Sequence, residues 1–111
     1  MSNTIQFEDF TKADIRVGTI IEVSDFPKAR KPAYQLTIDF GLLGVKKTSA
    51  QITTRYKKEA LLNRQILAVV NFPKKQIANF MSDCLVVGAV DGKDVILLKP
   101  EHKVPNGSVV S

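Results

Sequence analysis

The chain has 111 residues, 44% of them hydrophobic and 24% charged, which is enough for one closed apolar core and too little for two. Its single cysteine, Cys84, excludes an intrachain disulfide and suits a cytoplasmic setting. The net charge of +5 is uneven: eleven basic residues face only Asp39 and Glu59 between Lys28 and Lys75, so that segment carries +9 and the two ends together −4. A basic centre of this kind attracts polyanions with salt-dependent strength, although the same charge could simply keep the surface solvated.

Met1 to Phe10 has neither the basic start nor the apolar stretch of a secretory signal, and the longest apolar run, Cys84 to Val90, is far too short to cross a bilayer. Export and membrane insertion are therefore not expected. Phe7, Phe10 and Ala13 recur at helical spacing behind an acidic start, predicting a short amphipathic helix over 7–14 that lids one end of the fold. From Ile15 the period becomes two, placing Ile15, Val17, Thr19, Ile21 and Val23 inward, with Ile20 an apolar exception on the outer face. Gly18 is the natural bend for a closing sheet.

Phe26 to Pro32 reads as a proline-bounded loop carrying Lys28, Arg30 and Lys31. In the second strand Tyr34, Leu36, Ile38 and Phe40 face inward, and Gly41 to Gly44 connects it to a weakly patterned third strand, Val45 to Gln51. Thr53 or Thr54 is expected to cap a helix reaching Leu62. A buried strand over 66–71, a loop over 72–79, a strand over 85–90 and a hairpin partner over 93–98 follow, the last two joined by Asp91-Gly92. The tail, 99–111, holds a Pro105-Asn106-Gly107 turn.

Three strands, a helix and two further strands is the order of an all-β, five-stranded oligonucleotide-binding (OB) barrel with short helices, here with an additional C-terminal hairpin strand. A meander or a split sandwich would share much of that order. The expected organisation is a single domain, with residues 1–14 and 99–111 as terminal extensions.

Three stretches resemble the tRNA-binding-domain family, which occurs as free-standing dimeric tRNA-binding proteins and as appendages of methionyl- and phenylalanyl-tRNA synthetases. They are Asp14-Ile15-Arg16-Val17-Gly18, Leu36-Thr37-Ile38-Asp39-Phe40-Gly41, and Asn71-Phe72-Pro73-Lys74-Lys75 leading to Ser82, joined by the terminal Val104-Pro105-Asn106-Gly107. Phe26-Pro27-Lys28-Ala29-Arg30, Ser49-Ala50-Gln51-Ile52-Thr53 and Ala68-Val69-Val70-Asn71-Phe72-Pro73 resemble the CsaA branch of that family, the small export-related chaperones. The resemblance implies a homodimer on an OB core extended at both termini, binding unfolded or export-bound polypeptides. It leaves tRNA as the alternative ligand and a protein-interaction module as a third possibility.

Candidate RNA contacts are the cations Lys28, Arg30, Lys31, Lys74 and Lys75, with Asn71, Asn79 and Ser82 as hydrogen-bonding groups. Where the family usually has basic residues and a glycine, this chain has Gln76, Ala78 and Asn79, and Asn79 can keep a left-handed backbone but not glycine's room for close approach. Phe72, Ile77, Phe80 and Met81 could line a pocket for apolar peptides, or could simply be core or dimer packing. No enzyme is expected: Cys84 opens an apolar strand, His102 lies alone in the tail, and no phosphate loop, metal-ligand spacing or triad pattern is present, so no cofactor, metal or DNA ligand is implied.

Overall fold

A computed structural model describes residues 3–111. A short helix α1 (Phe7–Thr11) precedes strands β1 (Ile15–Asp25), β2 (Tyr34–Asp39) and β3 (Val45–Ala50), with a single 3₁₀ turn at Gly41–Leu43. Helix α2 (Lys58–Leu61) leads into β4 (Gln65–Val69), and then come β5 (Lys75–Ile77), β6 (Phe80–Ser82), β7 (Leu85–Val86), β8 (Gly88–Asp91) and β9 (Asp94–Leu97). Five of these form one antiparallel sheet in the order β3-β2-β1-β4-β7, and β5-β6 and β8-β9 are separate ribbons. The sheet curls until its ends nearly meet. There the Asp83 N–H donates to the Lys47 carbonyl at 2.7 Å, and Thr48 Oγ1 donates to the Cys84 carbonyl at 2.8 Å. This is the OB barrel expected from the strand order.

The length of β1 lets one strand serve three neighbours. Its first half pairs with β4, from Ile15 against Val69 to Thr19 against Gln65, and its second half pairs with β2 from Thr19 onward. That leaves the β2-side edge of residues 15–18 open, and the C-terminal tail fills it. The Val17 N–H donates to the Ser108 carbonyl at 3.0 Å, the Gly107 N–H to the Val17 carbonyl at 2.7 Å and the Val110 N–H to the Ile15 carbonyl at 2.9 Å. Gln65 extends the zipper, its side-chain oxygen accepting from the Val104 N–H at 3.1 Å and its amide nitrogen donating to the Val104 carbonyl at 2.7 Å.

The family-like Asp14 to Gly18 segment is explained by this junction. Arg16 Nε holds Asp14 Oδ1 at 2.6 Å while its other end donates to the Gly107 carbonyl at 3.0 Å. Gly18 must lack a side chain, because a Cβ there would come within 2.6 Å of Ile38 Cγ2 and 2.7 Å of the Phe40 ring.

The inward face of β1 differs from the expected alternation. The β1–β2 register shifts between Ile20 and Glu22, so Ile21 is bulged out of the ladder and left 44% exposed, while Ile20 is wholly buried. A bulge reverses the inward parity across itself: beyond it Val23 packs on the core as expected, whereas before it Gly18 and Ile20 share the face of the core residues Ile66 and Ala68, and Ile15, Val17 and Thr19 take the other. The core consists of Ile20, Leu36, Ile38, Phe40, Leu61, Ile66, Ala68 and their neighbours. Val17 and Val69 are buried outside that cluster. In β2 the expected face holds throughout.

Three other boundaries moved. Neither Thr53 nor Thr54 caps the second helix, which starts at Lys58 after a turn closed by the Tyr56 N–H on the Ile52 carbonyl. Tyr56 instead points its hydroxyl into the core, where it accepts from the Leu97 N–H at 3.0 Å. The strand expected over 66–71 ends at Val69, and Asn71 turns its side chain back to the N-terminal segment. The strand expected over 85–90 breaks at Val87, whose N–H stays with Leu67 while β8 swings out to pair with β9. Gly88 permits the swing, since a Cβ there would meet Val95 Cγ1 at 2.6 Å.

Candidate binding cleft

The sequence placed residues 72–79 in a loop, but they belong largely to a hairpin that stands at the rim of the barrel. Lys75 pairs with Ser82, Gln76 with Met81 and Ile77 with Phe80, around the two-residue turn Ala78-Asn79. Phe80 fastens this hairpin to the loop between β1 and β2, its ring packing against the buried Phe26 with centroids 5.4 Å apart. Between loop and hairpin lies a cleft of about 650 Å³, walled by Lys28, Arg30 and Lys31 on one side and Lys75, Gln76 and Ile77 on the other, with Ser49 and Gln51 also lining it. A smaller hollow of about 220 Å³ shares Ser49, Lys75 and Ile77 with it and adds Phe72 and Leu85.

Ion pairing takes up several cations outside this cleft and spares those that line it, although Lys46, Lys47 and Lys57 elsewhere are also without a carboxylate partner among the described residues. Arg55 is held by Asp94, Lys58 by Asp25 at 3.0 Å and Lys74 by Asp83 at 3.8 Å. The Arg55 hydrogen bond, aided by its charge, draws the Asp94 carboxyl below the usual carboxylate range. Arg64 stacks on the Tyr56 ring at 5.2 Å. Among the described residues, Lys28, Arg30, Lys31 and Lys75 have no carboxylate within ion-pairing distance. Four unneutralised cations around one concavity form a focused positive field.

The candidate residues divide accordingly. Lys28, Arg30, Lys31 and Lys75 come together, while Lys74 does not line the cleft and pairs with Asp83. Asn71 is engaged structurally, its oxygen accepting from the Asp14 N–H at 2.9 Å and its nitrogen donating to the Lys12 carbonyl at 2.7 Å. Ser82 is nearly buried at the barrel seam, 3.0 Å from Thr48 Oγ1. Asn79 is exposed at the hairpin tip, and the left-handed residue is Ala78, with φ +53°.

The four apolar candidates do not form one pocket. Phe72 and Ile77 line the smaller hollow, Phe80 faces Phe26, and Met81 lies on the opposite face of the ribbon from Ile77. Opposed residues of a two-residue hairpin share a face and their neighbours take the other, so Lys75, Ile77, Phe80 and Ser82 face together. Gln76, noted in the sequence only as a departure from the family pattern, lines the cleft, and so do Ser49 and Gln51, which were not singled out. Their signal was the polar end of β3, legible only once the hairpin opposite it is known.

The likeness to known proteins follows the same frame. A family model described as "Putative tRNA binding domain" matches residues 15–109. The chain belongs to the tRNA-binding-domain family, in its CsaA branch. The structure of chaperone CsaA from Bacillus anthracis superposes with a TM-score of 0.93 at 50% identity, covering 98% of this chain and 100% of that one. The CsaA chaperone protein from Picrophilus torridus gives 0.91 at 55% identity, covering 97% and 100%. Methionine–tRNA ligase of Pyrococcus horikoshii is 40% identical over 106 residues, which is 96% of this chain and 14% of the ligase. The chain thus spans about a seventh of the curated relatives it matches. Among the described residues no helix is long and apolar enough to cross a membrane, and no cluster of three or more metal-ligating side chains occurs.

Proposed function

We propose that this chain is a non-enzymatic, cytoplasmic, CsaA-like chaperone that holds unfolded or extended, export-bound polypeptides at the cleft between the β1–β2 loop and the β5–β6 hairpin. One observation carries the reading: the likeness to proteins named chaperone CsaA runs from end to end of both chains, whereas the synthetases share only a small segment of themselves. Phe72 and Ile77 supply apolar contact and the four free cations steer acidic stretches.

The working unit is a homodimer. Helix α1 buries none of its residues, leaving Phe7 74% exposed beside Phe10, and Val109 of the tail is 63% exposed. Residues 3–14 and 99–111 then act as extensions of a single domain that complete a two-fold interface, since an amphipathic helix with no buried face lacks a partner. Light scattering of a model unfolded protein tests the chaperone reading. The protein should slow aggregation, and Phe72→Ala with Ile77→Asp should lose most of that effect; no suppression by the parent protein would overturn the reading.

A second reading, tRNA binding, is favoured by the gathering of Lys28, Arg30, Lys31 and Lys75 without carboxylate partners. It requires affinity that falls steeply with salt, with the log–log slope reduced by about 0.7 to 0.9 in Lys75→Ala. Binding that ignores salt, or is absent, excludes it.

A further inference from the structure

The cleft offers more than charge, because its floor includes an unfinished strand edge. Strand β3 ends the five-stranded sheet and pairs with β2 on one side only. On that side the Phe40 N–H donates to the Gly44 carbonyl, which fixes Lys46, Thr48 and Ala50 as the residues whose backbone groups face β2. The alternate residues, Val45, Lys47 and Ser49, turn their backbone N–H and C=O away from it. Lys47 confirms the direction, its carbonyl accepting from Asp83 and its N–H donating to Asp83 Oδ2 at 3.3 Å.

Backbone pairing along this edge stops at Lys47. Past Lys47 the hairpin runs on beside β3 as β6 without pairing to it, so the Ser49 N–H has no backbone partner, its carbonyl accepts only from Thr48 Oγ1 at 3.1 Å, and Ser49 lines the 650 Å³ cleft. Across that cleft stands β5, also paired on one side only. The Ile77 to Phe80 pair closes the hairpin, so Gln76, one residue further, directs its backbone groups away from β6, and Gln76 lines the same cleft.

We propose that the cleft binds an acidic extended polypeptide by strand addition, the bound segment laying its backbone along the outer edge of β3 at Ser49 while its carboxylates meet Lys28, Arg30, Lys31 and Lys75. The charges select the occupant. Lysines along an exposed edge repel a second copy of the same edge, which protects β3 (Val45-Lys46-Lys47) from self-pairing, and they complement a strand bearing Asp or Glu at alternate positions. Main-chain hydrogen bonds give affinity without regard to sequence, as a binder of many unfolded segments needs, and the cations supply the preference. This inference rests on the polypeptide-binding reading above and specifies its mode.

The test uses a fluorescent synthetic peptide of alternating glutamate and valine, N-methylated at its odd or at its even positions, with anisotropy read at low salt. Strand addition predicts that one methylated set binds about tenfold more weakly, by loss of the backbone hydrogen bonding at Ser49, while the other binds as the parent does. Ser49→Pro removes the edge donor and should weaken the parent peptide similarly. Equal effects of the two methylated sets, with the parent peptide bound, would overturn strand addition and leave the chaperone reading standing. If the parent peptide and an unfolded client protein both fail to bind, the two fall together. Single-stranded RNA binding more tightly than the peptide under the same conditions would assign the cleft to nucleic acid and also overturn the proposal. The peptide scan needs no protein variant, so it decides even if Ser49→Pro fails to fold.

Discussion

The barrel body and its rim are built on opposite terms. In the body, Ile20, Leu36, Ile38, Phe40, Leu61 and Ile66 are wholly buried and hydrogen-bonded strands run on both sides of β1. At the rim, two three-residue strands are held by a turn, one aromatic contact and the hydrogen bonds of Ser82 and Asp83 to β3, and nearly every side chain between Asn71 and Asn79 is exposed. Stability therefore resides on the inward face of the barrel strands, while the cleft is formed largely by segments with little apolar burial. That division suits a binding protein, because ligand-contacting loops on a rigid scaffold can vary without unfolding it.

The sharpest way to break the comparison is to exchange the costs. Leu36→Ala, at a fully buried position, should lower unfolding free energy by about 2 to 5 kcal/mol, read from urea denaturation. Lys75→Glu, in the cleft, should stay within about 0.5 kcal/mol of the parent while abolishing acidic-peptide binding. A rim substitution as destabilising as the core one would show that hairpin and barrel fold as one unit.

The seam between body and rim should respond at an intermediate level. Thr48 is buried and its hydroxyl lies 3.0 Å from Ser82 Oγ and 2.8 Å from the Cys84 carbonyl, so Thr48→Val leaves both without that partner at about 1 to 3 kcal/mol. Cys84 itself reports on the seam. Burial first, and Asp83 second, push its thiol up from 9.0 to about 12, so it should resist thiol reagents in the folded protein and react faster in Thr48→Val.

The same shift sets an alkaline limit. The folded state keeps the Cys84 proton between pH 9 and 12 while the unfolded state releases it, so stability is fully present below pH 9 and falls by up to about 1.4 kcal/mol per pH unit above it. Cys84→Ala should flatten the alkaline side of the denaturation profile by that amount. An unchanged profile would mean the seam admits water.

The body was legible in the sequence to the extent that it obeyed local rules. Tyr34, Leu36, Ile38 and Phe40 alternate without interruption, and the structure keeps all four inside. In β1 the same rule failed at Ile20 and Ile21, because a bulge is a property of the strand pair and leaves no mark in one strand's pattern. The rim was less legible for a related reason. Pro73 and paired lysines read as loop, and what makes 75–82 a hairpin is the distant contact of Phe80 with Phe26 together with closure of Asp83 on Lys47. The cations could be counted, but which of them are free depended on where Asp25, Asp83 and Asp94 landed.

The smallest expected effect bears most directly on the rim. Ala78 begins the hairpin turn at φ +53°, a conformation that costs a residue with a side chain roughly 1 to 2 kcal/mol. Ala78→Gly removes that strain and gives back about 0.5 to 1 kcal/mol through the greater freedom of glycine in the unfolded chain. The net is a gain of about 0.5 to 1 kcal/mol, a rise of a few degrees in Tm. In the barrel body the counterpart is Asn63, at φ +67°, where a short polar side chain tolerates the left-handed region better than alanine does, so the gain on changing it to glycine should be smaller. If Ala78→Gly raises Tm and leaves peptide binding unchanged, the strained turn is incidental to recognition. If it raises Tm and weakens binding, the alanine holds Lys75, Gln76 and Ile77 at the angle the cleft requires, and the rim trades stability for position.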